Sequence, residues 1–384
     1  MRIVETKADL AALIAELEGA PYLALDTEFM RDQTYWPKLC LLQVASPDTA
    51  AIVDPLAEGM DLAPFYTLLK SPGTVKVFHA ARQDIEIFHQ QGGVIPDPLF
   101  DTQIAAMVCG FGDSASYETL ARRLAHVEID KSARFTDWSR RPLGKHQLEY
   151  ALSDVTHLRV IYQALKTELE NTGRAAWVEE EVEALKDRDL YELDPAKAWK
   201  RLKPRTSSKK FLAMLAAVAA WREREAQERN VPRNRVLKDE VLTEIAAHPP
   251  PDAEGLERIR AVPKGFAGSR MGKSLMEAVE AGRTATPPDS IPHDRPRRRR
   301  EPSQSSVDLL KTLLRLRAEA SKVAPRLIAN ADDIERIAAF EDDGVPALHG
   351  WRAEVFGNDA RALRDGKLAI ALENGDAVVV ELED

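Results

Sequence analysis

Apolar positions near the start of the chain repeat at two different periods. Leu10, Leu13, Ile14 and Leu17 follow Thr6 at the three-and-four spacing of an amphipathic helix, which predicts a threonine-capped helix over residues 6–17. Residues 22–29, 39–45, 51–54 and 75–78 carry dense apolar runs bounded by Pro, Gly, Ser or Asp, the mark of strands. Helical patterns fill 61–70 and 82–91, and dominate from 102 to 170. Strands alternating with helices predict an α/β domain over residues 1–172.

Beyond that point the strand period disappears. Residues 173–206 read as a charged helical connector, and 207–284 as a compact helical unit with Phe211, Leu212, Leu215, Val218 and Trp221 at helical spacing. Residues 285–306, rich in Pro, Ser and Arg, read as a linker. A second helical stretch, 307–384, ends in two alternating runs that flank Asn374-Gly375, a hairpin signal.

Composition narrows the class. A chain of 384 residues has room for two or three domains, and 44% hydrophobic with 30% charged residues is ordinary for globular proteins. No apolar run approaches the ~18 residues of a membrane span, and the N-terminus lacks the apolar stretch of a signal peptide. Cys40 and Cys109 show no metal-like spacing, so a cytoplasmic location is expected. The net charge of −9 argues against a polyanionic partner until it is divided: residues 200–300 hold 23 basic and 13 acidic side chains, leaving −19 for the remainder. A basic stretch between acidic ones attracts polyanions locally, or is solvated surface; composition weighs the two about evenly.

Three short segments carry candidate chemistry. Asp26 and Glu28 alternate onto one face of a strand, where two carboxylates repel unless a cation neutralises them. Asp84 falls near the start of a helix that follows a buried strand. Tyr150 and Asp154, four apart, share a helix face. Each alone is ordinary: exposed acids, a residue suiting the helix dipole, a surface pair. Their conjunction within one α/β domain is not.

In that conjunction the sequence resembles the DEDD superfamily of 3′-to-5′ exonucleases, in the branch with tyrosine in the third motif, and within it the ribonuclease D family. Leu25-Asp-Thr-Glu-Phe-Met-Arg31, residues 35–43, Phe78-His-Ala-Ala-Arg-Gln-Asp84, residues 100–106 and 136–143, and Gln147-Leu-Glu-Tyr-Ala-Leu-Ser-Asp154 carry the likeness. The resemblance implies a ribonuclease H-like catalytic domain, a mixed sheet flanked by helices. It makes Asp26, Glu28, Asp84 and Asp154 ligands of two divalent ions, Mg²⁺ or Mn²⁺. An oxygen-only ligand set suits such hard cations independently. Tyr150 is expected to orient the attacking water, since a free phenol with a pKa of about 10 is a poor base. The implied product is a nucleoside 5′-monophosphate, and the implied substrates are the 3′ ends of tRNA precursors and other small structured RNAs.

Residues 207–283 resemble the HRDC domain, and 307–384 a second, divergent, acidic copy. The expected architecture is thus an α/β catalytic domain followed by two mainly helical HRDC-like domains, in a monomer. Phe29, Tyr35 and Trp36 are candidates for stacking RNA bases, against ordinary packing. Gln83 and Gln103 are candidates for the substrate sugar, and Arg229, Arg233 and Arg235 for its phosphates. His79 reads as a packed, hydrogen-bonded histidine. Ala267-Gly-Ser-Arg-Met-Gly-Lys-Ser274 matches a loose phosphate-loop pattern but has no strand before it, so no ATP use is inferred. The rival readings are a DNA exonuclease of the same superfamily and a catalytically inert RNA-binding scaffold.

Overall fold

The computed structural model describes residues 1–382 except 135, 205, 207 and 289–300. The arginine run at 297–300 and much of the expected linker therefore lie outside the described residues. The chain forms two compact units. One comprises residues 1–28, 41–187 and 297–384; the other comprises 29–40 and 188–296.

The first unit is built on a six-stranded mixed sheet: β1 (Arg2–Val4), β2 (Tyr22–Met30), β3 (Lys38–Ala45), β4 (Ala50–Val53), β5 (Val75–Phe78) and β6 (Leu99–Asp101), in the order β1-β4-β3-β2-β5-β6. β3 and β4 pair antiparallel, while β1–β4, β2–β5 and β5–β6 are parallel. β2, carrying Asp26 and Glu28, is therefore a central strand. Helices α1 (Lys7–Leu17), α2 (Ala63–Leu68), α3 (Arg82–Gly92), α4 (Thr102–Val108), α5 (Tyr117–Leu120), α6 (Lys145–Thr172) and α7 (Ala175–Glu183) accompany it. Thr6 caps α1 as expected, accepting from the Asp9 amide at 3.1 Å. α6 buries Val155, Leu158 and Tyr162 in one cluster with Tyr22 and Ala24 of β2 and Val77 of β5. That packing fixes the middle turns of α6 relative to the central strands.

The expected run of helix from 102 to 170 is interrupted. Residues 126–144 are mostly turns and loop, with left-handed His126, Pro142 and the N-cap Gly144 breaking the period. The 173–206 connector also divides. Its first part, α7, buries Val178 and Val182 within the first unit, and Lys186 pairs with Asp97 at 2.6 Å.

In the second unit, α8 (Lys209–Glu228), α9 (Arg233–Val236), α10 (Asp239–Ala247), α11 (Ala253–Glu257) and α12 (Arg270–Thr284) enclose Leu212, Leu215, Val218, Trp221, Leu242 and Val279. Tyr35 belongs to the same core, and Trp36 packs against it. The glycine-rich segment at 267–274 simply starts α12, with Ser269 as its N-cap. Gly272 is needed for close packing, since a Cβ there would lie 2.2 Å from the Phe266 carbonyl oxygen.

The C-terminal part of the first unit contains α13 (Gln304–Ser321), α14 (Pro325–Ile328), α15 (Ala331–Ala338), α16 (Gly350–Arg352) and α17 (Asn358–Arg364). It closes with the expected hairpin, β7 (Leu368–Glu373) and β8 (Asp376–Glu381). Asn374 and Gly375 both take positive φ, as a tight two-residue turn demands. This part docks on the sheet-bearing part of its own unit. Trp177 and Trp351 stack at 4.5 Å with a 12° interplanar angle. Arg352 bridges Glu180 at 2.9 Å and Glu181, and Arg174 donates to the Ser321 carbonyl at 2.7 Å.

Candidate active site

Alternation along β2 sends Asp26 and Glu28 to one side of the sheet, and the packed middle of α6 brings Asp154 to meet them. One oxygen from each of the three carboxylates lies within 4.8 Å of the other two. Asp84, buried in the first turn of α3, stands beside this trio. Its carboxylate accepts the hydroxyl proton of Thr27 at 2.5 Å, and its charge is felt by Glu28 as that of Asp26 is felt by Asp84. α3 is aimed by Asp101, whose carboxylate accepts from the amides of Ala80 at 3.1 Å and Ala81 at 2.8 Å while capping α4. Ala80 takes a left-handed φ of 58°, which those bonds stabilise.

Four carboxylates this close cannot all ionise cheaply without counter-charge. Burial and the neighbouring Asp154 push the Asp26 carboxyl well above its ordinary range. Burial, with Asp26, Asp154 and Asp84, pushes Glu28 up to about 10. Burial raises Asp154 to about 7 and is the main cause of the rise at Asp84. Arg134 pulls Glu28 and Asp154 downward. A donor set of oxygen alone, with this excess of negative charge, fits a hard divalent cation.

Around the carboxylates lies a cleft of about 350 Å³ whose lining includes Asp26, Asp154, Tyr150, Gln103, Lys131 and Arg134. Tyr150 is half-buried on α6, with Trp138 6.2 Å away, and burial beside Asp154 raises its phenol further from ionisation. The loop before α6 is anchored at several points: Arg141 grips Asp54 at 2.5 and 2.6 Å, and Gln147 donates to Thr136 at 2.9 Å. Those anchors present Arg134 and Lys131 to the cleft. Neither stands out in the sequence, because a basic residue in a loop carries no periodic signal. Tyr117 also lines the cleft and ties α5 to α6 through the Asp154 carbonyl. His79 is hydrogen-bonded to Thr102 at 3.0 Å, as expected of a packed histidine, yet it also lines the same cleft.

Comparison with known proteins identifies the domains and the family. A family model described as 3′-5′ exonuclease matches residues 1–170, and the HRDC domain model matches 211–279. Ribonuclease D of Nitrobacter hamburgensis is 50% identical, covering 99% of this chain and 100% of its own. Ribonuclease D of Granulibacter bethesdensis is 49% identical over 97% of this chain and 94% of that protein. The chain belongs to the ribonuclease D family. The crystal structure of Escherichia coli RNase D, described as an exoribonuclease involved in structured RNA processing, superposes with a TM-score of 0.79. It is 30% identical, covering 95% of this chain and 98% of that one. The catalytic core of RRP6 from Trypanosoma brucei matches less fully, with a TM-score of 0.55 at 26% identity over 73% of this chain and 79% of its own.

As a ribonuclease D, the chain is a hydrolytic 3′-to-5′ exoribonuclease with a ribonuclease H-like catalytic domain followed by an HRDC domain. No helix among the described residues is long and apolar enough to cross a membrane. The residues expected to hold substrate divide into two sets. Gln103 lines the catalytic cleft, and Gln83 is exposed on the first turn of α3. Phe29 is half-buried directly after Glu28.

The others lie in the second unit. Tyr35 does not meet the base-stacking expectation: the residue is 3% exposed, its hydroxyl donates to Glu223, and the Arg233 guanidinium sits 4.5 Å from its ring centroid. Arg233 in turn clamps Glu223 at 2.6 and 2.7 Å, so most of its charge is balanced inside the protein. Trp36 packs edge-on to Tyr35. Arg229 is exposed beside Met271, and Arg235 is exposed and bonded to Gln33. The partners of Tyr35 lie almost two hundred residues away in sequence, beyond any local pattern.

Proposed function

We propose that this ribonuclease D removes nucleotides singly from RNA 3′ ends, including those of tRNA precursors, with Asp26, Glu28, Asp84 and Asp154 holding two divalent cations. The convergence of three carboxylates within 4.8 Å, beside a fourth that is buried, carries this reading. When bound, such cations supply Lewis acidity and offset charge on the scissile phosphate. The side chains do the rest. Tyr150 holds and orients the attacking water through its hydroxyl, without needing to ionise. Arg134 and Lys131 balance the negative charge that grows on the phosphate oxygens. As the water oxygen bonds to phosphorus, the bond to the 3′ oxygen of the preceding nucleotide breaks. That oxygen takes up a proton, and a nucleoside 5′-monophosphate leaves. A time course on 5′-labelled RNA with Mg²⁺ or Mn²⁺ tests this: a ladder of shortened products with mononucleotide release is expected. A matched DNA strand cut equally well would shift the reading to a general nuclease, and RNA bound but never shortened would favour a scaffold.

We further infer that residues 307–382 form a second HRDC-like copy. Each helical set starts with a long helix, α8 or α13, followed by a short Pro-led turn of helix at 233–236 or 325–328. Each also closes on a glycine pressed against a preceding carbonyl. A Cβ on Gly272 would lie 2.2 Å from the Phe266 oxygen, and one on Gly357 would lie 2.3 Å from the Ala347 oxygen.

A further inference from the structure

Hydrolysis by the carboxylates, Tyr150 and the two basic residues leaves His79 without a task, although its imidazole lines the same cleft. Strand register puts it there. Ala24 of β2 pairs with Val77 of β5, and both pack in the cluster with α6. Two residues further along each strand direction come Asp26 and, just past the end of β5, His79. Alternation therefore turns the imidazole to the side of the sheet that Asp26 occupies. The hydrogen bonds around the ring decide which nitrogen carries its proton. Thr102 is fully buried, and its hydroxyl donates to the Phe78 carbonyl at 3.0 Å. A hydroxyl has one proton to give. The 3.0 Å contact between Thr102 Oγ1 and His79 Nδ1 is therefore made by an Nδ1–H donor.

Burial lowers the proton affinity of the imidazole, so the neutral ring prevails at neutral pH. Nε2 is left as an unprotonated acceptor. It has no hydrogen-bond partner among the described residues, and it is not buried. Tyr117 packs edge-on against the ring, 5.5 Å between centroids, and helps to fix its orientation. Phosphate oxygens repel such a lone pair, whereas ribose hydroxyls donate to it. A cleft of about 350 Å³ lies at the lower end of the range for small-ligand sites, with room for about one nucleotide. We propose that His79 Nε2 accepts a hydrogen bond from the 2′-hydroxyl of the terminal ribose, so that His79 helps to tell an RNA end from a DNA end. The 2′-hydroxyl is the group that separates the two sugars. The proposal rests on the exoribonuclease reading and deepens it, by assigning sugar preference to one side chain.

The test has two readouts on the full chain in Mg²⁺. One is calorimetric binding of AMP against 2′-deoxy-AMP. The other is hydrolysis of two RNA strands identical except for a ribose or a 2′-deoxyribose at the 3′ terminus. One neutral hydrogen bond predicts a preference of about three- to tenfold for the ribose, in both Kd and kcat/KM. His79→Asn keeps an amide N–H near Nδ1 for Thr102 and removes Nε2, and is expected to bring both ratios close to one. His79→Gln, whose amide oxygen reaches the position of Nε2, should restore part of the preference. Thr102→Val leaves the imidazole in place but frees its tautomer, and should lower the ratios as well. Each result is a ratio, so a general loss of activity does not imitate it, and thermal denaturation shows that the variants are folded. A wild type without preference would overturn the proposal. So would a preference that survives in His79→Asn; equal losses on both strands would mean that the ring orients water instead. A wild type that binds AMP more tightly than its deoxy form but shortens no RNA would count against the exoribonuclease reading alone.

Discussion

The Thr27 hydroxyl donates to the Asp84 carboxylate at 2.5 Å, linking the strand that carries two of the acids to the helix that carries a third. Thr27 points away from the side that Asp26 and Glu28 share, so the bond is made by the one residue of the three not offered to a cation. Partners of this kind orient metal-binding groups and typically matter ten- to a hundredfold. Thr27→Val, which keeps the shape and deletes the donor, is expected to lower the hydrolysis rate by roughly 10- to 100-fold and to raise the Mg²⁺ concentration needed for half-maximal rate. Thr27→Ser should restore both. A Mg²⁺ titration of initial rates on a single RNA decides the matter.

The acids that make the site cost stability while it holds no cation. A carboxyl group with a raised folded pKa binds protons more tightly when folded than when unfolded. Its contribution therefore favours the folded state at low pH and is lost as pH rises toward the folded value. For Asp154, raised from 3.8 to about 7, the loss accumulates between about pH 4 and 7. The metal-free protein should melt at progressively lower temperature across that window. Added Mg²⁺ or Mn²⁺ should raise the melting temperature by an increment that grows with pH. Calorimetry in EDTA and in Mg²⁺, at several pH values, measures both effects.

Neutralising one acid should separate stability from activity. Asp26→Asn removes a charge from a crowded site and is expected to make the metal-free protein more stable by about 1–2 kcal/mol, since relieved like-charge repulsion is of that order. The same change should reduce hydrolysis by a factor of about a thousand or more, as expected when transition-state charge loses its main counterweight. Denaturant melts paired with single-turnover rates would expose any variant that loses activity by unfolding.

Tyr150→Phe keeps the ring near Trp138 and removes only the hydroxyl. If that hydroxyl orients water, kcat should fall about 100-fold with KM nearly unchanged. The high proton affinity of the phenol makes no titration of Tyr150 visible in the neutral range. The pH dependence of the residual rate should therefore match wild type.

Docking of the C-terminal helices is centred on Arg352, whose side chain is largely buried between Glu180, Glu181 and the Leu327 carbonyl. Arg352→Ala strips a partner from Glu181, which is equally shielded. A loss of about 2–4 kcal/mol is expected, the scale for breaking a buried pair. Denaturant unfolding of the variant should begin at lower denaturant than wild type, with fluorescence from the Trp177–Trp351 stack changing first.

Some of these features were legible in the sequence, and others were hidden for identifiable reasons. Asp26 with Glu28, and Tyr150 with Asp154, are legible because strand and helix periods place residues two or four apart on one face. The cap at Thr6 and the turn at Asn374-Gly375 follow from equally local rules. Arg134 was not legible, since it reaches the acids from a loop whose position depends on Arg141 gripping Asp54, 87 residues away. The choice between stacking and packing at Tyr35 is open in the sequence for the same reason. An aromatic residue close after an acidic motif suggests a base platform, and only the distant Glu223 and Arg233 show that it is packed away.

Residues 29–40 belong to the core of the helical unit although they leave directly from the strand bearing Asp26 and Glu28. The two modules are thus stitched together rather than strung in series. A gene cut after residue 187 would strip Tyr35 and Trp36 of their shelter and leave the segment that follows the acids unfastened.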